Sequence, residues 1–148
     1  MAVVDELRAQ WLARPWWMNL LALFCLYMTF VYLPFDLFYK PVAEDEEVWF
    51  GFTLHGWAAK ATAPLHWLIY AAGAYGFWKM RRWMWPWAAV YVAQVSLAML
   101  IWNGLDPRGA GWLMGLLGAA LFAVPAVALW RARHRFTSGG GSAAGATA

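Results

Sequence analysis

Cysteine is almost missing from this chain. The single Cys25 falls inside an apolar run, so there is no partner for an intrachain disulfide and no dithiol to shuttle. That argues against a thiol-oxidising membrane enzyme and leaves a small buried apolar residue as the reading. Charge is scarce as well: Asp, Glu, Lys and Arg make up 13% of the 148 residues, against 64% hydrophobic. A water-soluble fold of this size would leave much of that apolar surface exposed. Histidine occurs three times, at His55, His66 and His134, at one membrane surface, near mid-membrane and at the other surface. Helical geometry puts His55 and His66 about 16 Å apart, which excludes a bis-histidine haem within one chain and leaves only one shared across a dimer. No Walker-type loop, Ser-His-Asp set or metal-protease motif is present, and no metal or cofactor is expected.

What the sequence does have is 13 Trp and long apolar stretches. Four of them, residues 16–39, 57–78, 83–102 and 111–130, reach the roughly 20 helical residues that cross a hydrocarbon core. Their length and continuity favour helices over the short alternating strands of a barrel. The expected fold is therefore all-α, an integral membrane four-helix bundle spanning 16–136. An amphipathic surface helix precedes it in 1–15, and a flexible tail follows in 137–148. Eight of the eleven Lys and Arg, namely Arg8, Arg14, Lys79, Arg81, Arg82, Arg131, Arg133 and Arg135, flank these runs on one side. The other side has Lys40 and Arg108 with Glu44, Asp45, Glu46, Glu47 and Asp106. The positive-inside rule then puts both termini in the cytoplasm, in a bacterial inner membrane or the endoplasmic reticulum. Although the net charge is +3, the basic residues sit at membrane edges, so nucleic acid is not an expected partner.

The ionisable and polar groups that stand in or beside apolar runs are few: Asp36, Lys60, Thr62, His66 and Gln94. Pro34 withholds a backbone N–H just before Asp36, which predicts a kink there. Asp36 is either an interfacial carboxylate reaching water or a partly buried anion that needs a partner. Lys60, at similar depth in the second run, either snorkels to the interface or pairs with Asp36. Pro64 frees the Lys60 carbonyl. His66 shares a helical face with Thr62, Tyr70 and Gly73 and calls for a hydrogen-bond partner, for which Gln94 is the candidate. The acidic connector reads as solvated charge, with Trp49, Phe50 and Phe52 dipping into the headgroup region. Gly111, Gly115, Gly118 and Ala119 form a small-residue face for packing, either within the chain or between copies.

A cavity lined by Asp36, Lys60, Thr62, His66 and Gln94 among aromatic rings suits a cationic amphiphile by charge pairing and cation–π attraction. The same groups are able to move a proton, with His66 or Asp36 as acid or base. Leu33-Pro34-Phe35-Asp36-Leu37, Trp49-Phe50, Pro64, Tyr75-Gly76-Phe77-Trp78-Lys79 and the stretch from Trp83 to Tyr91 resemble the EXPERA (emopamil-binding protein and sigma-2 receptor-like) family over roughly residues 20–100. The resemblance implies a helical membrane protein that binds sterols or cationic drugs, with an isomerase-like activity in some members, and it puts Asp36 at a ligand-binding acid. The family's second acid, early in the second helix, has no counterpart; Trp57 to Lys60 stand there. The expected function is binding of a lipid- or sterol-like ligand in an intramembrane pocket, with membrane lipids as partners. Two other readings are an accessory or assembly subunit of a larger membrane complex and a small dimeric proton-coupled transporter.

Overall fold

The computed structural model describes residues 2–12 and 14–136, so the expected tail lies outside the described residues. The chain is mostly helical. Helix α1 (Ala2–Leu12) leads into α2 (Trp16–Phe38), then come a two-stranded hairpin of β1 (Glu46–Trp49) and β2 (Phe52–His55) and three long helices, α3 (Trp57–Trp78), α4 (Met84–Leu105) and α5 (Trp112–Arg131). Among the described residues α2, α4 and α5 are long and apolar enough to cross a membrane. Helix α3 matches them in length with 22 residues, but it carries Lys60 and His66 and is less apolar. Large side chains such as Phe30, Leu113 and Leu121 are about 70% exposed, at 73%, 71% and 70%, as the lipid-facing surface of such helices would be. These features are consistent with an integral membrane protein.

The helices associate as two pairs, α2 with α3 and α4 with α5. Small residues set the second pair: a Cβ on Gly115 would come within 2.9 Å of the Leu100 carbonyl oxygen. The Ser96 hydroxyl, which could have bonded within its own helix, donates instead to the Ala119 carbonyl across the pair at 2.6 Å. The small face of α5 is thus used inside the chain.

One end of the molecule gathers the α1–α2 junction, the α3–α4 turn and the C-terminal turn Arg133–Phe136. Met18, Ala22, Phe77, Met84, Leu129 and Phe136 form its core. Arg14, expected at the surface as a topology signal, is buried here. Its guanidinium donates to the Phe77 and Trp78 carbonyls at 2.7 and 3.1 Å and to Asn19 Oδ1 at 3.0 Å. It thereby caps carbonyls in the last turn of α3, where the helix's own hydrogen bonding runs out.

Helix α2 is not uniform. Residues Met28–Tyr32 form a π-helical turn, and the Leu33 amide reaches back five residues to the Met28 carbonyl. In that register the residue due to donate to the Thr29 carbonyl is Pro34, which has no N–H. The Trp67 indole N–H of α3 supplies the missing bond at 2.8 Å. The kink expected at Pro34 is thus a widened turn whose free carbonyl is used to fasten α2 to α3.

The first connector departs most from expectation. Residues Val48–Trp49 and Phe52–Leu54 are good strand formers around a two-residue turn. Phe50 (φ 53°) and Gly51 (φ 90°) both take the left-handed backbone that such hairpin turns require. The hairpin, with Glu47 opposite Leu54 and Trp49 opposite Phe52, packs against α3 and, through β2, against α4. Its tip touches α4 so closely that a Cβ on Gly51 would lie 2.5 Å from Ile101 Cβ.

Candidate functional site

The site lies at the hairpin end, where the end of α2, the connector and the first half of α3 meet. Asp36, Asp45 and Glu47 are all buried, with 2%, 1% and 7% of their surface accessible. A buried carboxylate is costly without a partner, and the connector folds so that Asp36 and Asp45 each meet a lysine and Glu47 meets the imidazole of His66. Lys40 Nζ lies 3.1 Å from Asp36 Oδ1 and 3.1 Å from Asp45 Oδ1. Lys60 Nζ lies 3.2 Å from Asp45 Oδ2 and also donates to the Asp36 main-chain carbonyl. Asp45 is therefore gripped on both oxygens, one lysine to each. Burial alone would disfavour the charge on Lys40, but its bonds to Asp36 and Asp45 outweigh that and hold its pKa above the usual lysine value.

A second pair is set deeper along α3. His66 Nδ1 meets Glu47 Oε2, and the Trp49 ring stacks on the imidazole at 4.0 Å and 5° between planes. Glu47 and Trp49 are two residues apart on β1, so strand alternation puts them on one face, where they engage one imidazole together. Beyond His66, Tyr70 follows at 6.4 Å between ring centroids and its hydroxyl meets that of Tyr91 on α4 at 3.4 Å.

Of the residues expected to line one cavity, Asp36 and Lys60 come together, though not as the pair foreseen. Lys60 holds the Asp36 carbonyl, and Lys40 takes its carboxylate. The reason is local: Lys40 follows Asp36 by four residues at the end of α2, within direct reach. His66 is bonded to Glu47 and not to Gln94, which is half-buried on α4. Thr62 Oγ1 donates to the carbonyls of its own helix, at 2.9 Å to Ala59 and 3.3 Å to Ala58. Trp49 leaves the headgroup region for the His66 stack, while Phe50 and Phe52 stay exposed. Lys40, Asp45, Glu47 and Trp49 were not expected at the site. A run of four acids reads as solvated, but the β-branched and aromatic residues on both sides of Phe50-Gly51 (Val48-Trp49 and Phe52-Thr53) were the available signal for a hairpin.

The hairpin is held down from outside as well. Arg108 Nη1 pairs with Glu46 at 2.6 Å and its Nε with Asp106 at 3.1 Å, and Thr53 Oγ1 donates to Asp106 Oδ2 at 2.9 Å. The side chain and backbone N–H of Arg108, with Thr53, hold the Asp106 carboxyl well below the usual carboxylate range. A depressed carboxylate contributes stability above its unfolded pKa and loses it as pH falls through the folded value. The Thr53–Asp106 tie is therefore expected to be unchanged from neutral pH down to about pH 4, the ordinary carboxylate value, and to weaken below it. Hydrogen exchange of the β2 amides across that range checks this; loosening between neutrality and that value would contradict it.

Next to the lysine network lies an open groove of about 730 Å³ between the end of α2 and the start of α3. Phe38, Tyr39, Val42, Trp57 and Ala61 give it an apolar lining, and Lys40 and Lys60 stand at its polar side. Among the described residues no group of three metal-ligating side chains converges.

Fold and site together define a mostly helical protein with three helices long and apolar enough to cross a membrane and a buried ion network beside a short hairpin. No family model matches the chain, and no curated protein or solved structure is significantly similar to it.

Proposed function

We propose that this chain is a four-helix membrane protein with cytoplasmic termini that binds a lipid- or sterol-like amphiphile in the groove between α2 and α3, open toward the outer leaflet. The observation that carries the reading is the groove itself: an apolar, aromatic-lined cleft bordered by Lys40 and Lys60, at the end of helices that expose their other faces to lipid. The bundle reading extends the three apolar helices to α3, whose Lys60 and His66 are both partnered by connector acids and so need not face lipid. The termini follow from the basic flanks. Six N–H donors on the two ammonium groups meet four oxygen contacts, which leaves donors for a polar headgroup at the groove's edge. The reading moves the ligand outward from His66, because Trp49 and Glu47 occupy the space beside the imidazole.

The test is native mass spectrometry with lipid extraction of gently solubilised wild type, Asp36→Asn and Ala61→Trp. Ala61 is exposed on α3 in the groove and takes no part in the ion network, so the indole blocks the cleft without disturbing its charges. One defined small molecule per chain in the wild type, lost in Ala61→Trp, is the expected result. Retention of bulk lipid alone, equal in all three proteins, would overturn the reading, and co-purification with larger subunits would then favour an accessory role.

A further inference from the structure

A second groove, of about 300 Å³, runs between α4 and α5 toward the end of the molecule that holds the α3–α4 turn and the Arg133–Phe136 turn. Its floor is made of methyl groups, those of Ala89, Ala93 and Ala126, with Val90 and Val127 as walls. Both helices are membrane-spanning candidates, so the groove opens on a face that lipid covers. At its end stands Arg131, exposed and unpaired with any carboxylate among the described residues. Arg82, Arg133 and Arg135, also exposed, carry no ion pair there either. The other end of the molecule differs, since Lys40, Lys60 and Arg108 are each neutralised by acids.

An acyl-wide apolar groove ending in a guanidinium that has no acid partner among the described residues fits one kind of occupant. Its tail lies on the alanine floor, and its headgroup offers anionic oxygens in the geometry a guanidinium binds by two parallel N–H bonds. We propose that this groove is a site for an anionic phospholipid, with an acyl chain over Ala89 and Ala93 and phosphate oxygens on Arg131. Basic clefts between helices at a membrane face are chemically suited to such headgroups. The site is separate from the α2–α3 groove and does not depend on what that groove binds.

The full chain is reconstituted in nanodiscs of phosphatidylcholine mixed with phosphatidylglycerol of the same acyl chains, and retained lipids are counted by native mass spectrometry. Both lipids carry the phosphate, but phosphatidylcholine offsets its charge with the choline ammonium, so the wild type is expected to retain phosphatidylglycerol over phosphatidylcholine by about fivefold, the ratio that one Arg facing a net anionic lipid gives. Arg131→Gln is expected to abolish that preference with unfolding temperature unchanged, and Ala93→Phe, which fills the groove, to remove the retained lipid. Equal retention of the two lipids by the wild type would overturn the proposal. It would also fall if Arg133→Gln with Arg135→Gln lowered retention as much as Arg131→Gln while Ala93→Phe had no effect, since the attraction would then be diffuse. Loss of the lipid in Ala61→Trp would place it in the other groove and equally overturn the assignment.

Discussion

Lys60→Met is expected to destabilise the protein by about 3–5 kcal/mol, the cost of leaving a buried charge without its partner. The buried charge in question is Asp45. Its side chain is fully enclosed and its two oxygens face Lys40 and Lys60 at 3.1 and 3.2 Å, so removing Lys60 leaves Asp36 and Asp45 to share Lys40, with one buried negative charge in excess. The same change also removes the donor to the Asp36 carbonyl. Methionine keeps the length and apolar stem of lysine, so packing is little altered and electrostatics dominate the loss. Adding Asp45→Asn to Lys60→Met removes the orphaned charge and is expected to restore most of the stability, although each change alone is damaging. Reversible unfolding in mild detergent, read by circular dichroism for the two single variants and the double, measures the coupling. Simple additivity would mean that the lysine network does not hold the connector in place.

Gly51→Ala is expected to cost about 2–5 kcal/mol, combining a left-handed backbone for a residue with a Cβ and the overpacking of a tight contact. Gly51 has φ +90°, and an added Cβ would lie 2.5 Å from Ile101 Cβ, 2.6 Å from Ile101 Cγ2 and 3.0 Å from the Ala98 carbonyl oxygen. Because the tip rests on helix backbone as well as on a side chain, the hairpin has to lift. Lifting it withdraws Glu47 and Trp49 from His66. The readout is hydrogen exchange in Glu46–Trp49 and Phe52–His55, which is expected to quicken while exchange in α4 and α5 stays slow. Ile101→Ala in the same chain removes the Cγ2 contact but keeps the Cβ at 101 and the Ala98 carbonyl contact, so it is expected to recover only part of the overpacking share and none of the backbone share. Unchanged exchange in the hairpin would show that its tip is not fixed against α4.

The long apolar helices of this protein were legible without coordinates, because they rest on quantities that composition carries. Apolar runs of 20 residues, few charges and basic residues gathered at particular flanks depend only on order along the chain. So do the proline-related features, since the missing N–H of Pro34 acts on carbonyls four and five residues back. Asp36, Lys60 and His66 likewise stood out by themselves, as ionisable groups amid apolar neighbours that had to find partners.

Which partners they found was decided by tertiary structure. Lys60 takes the Asp36 carbonyl and Asp45, and His66 takes Glu47 and Trp49 in place of Gln94. The connector acids look like solvated charge as long as they are counted along the sequence, because a run of four has no intrinsic reason to be buried. Two of the four, Asp45 and Glu47, are buried: Asp45 between Lys40 and Lys60, and Glu47 because a hairpin only four residues per strand turns one face toward α3, where alternation brings Glu47 and Trp49 to the same imidazole. Thr62 shows the converse: its spacing put it on the face of His66, but a hydroxyl on a helix satisfies itself on the preceding turn. Helical periodicity is a property of one element and can be read from one segment. Ion pairing between a loop and two helices depends on how the segments pack, and that is fixed only when the whole chain has closed around the charges.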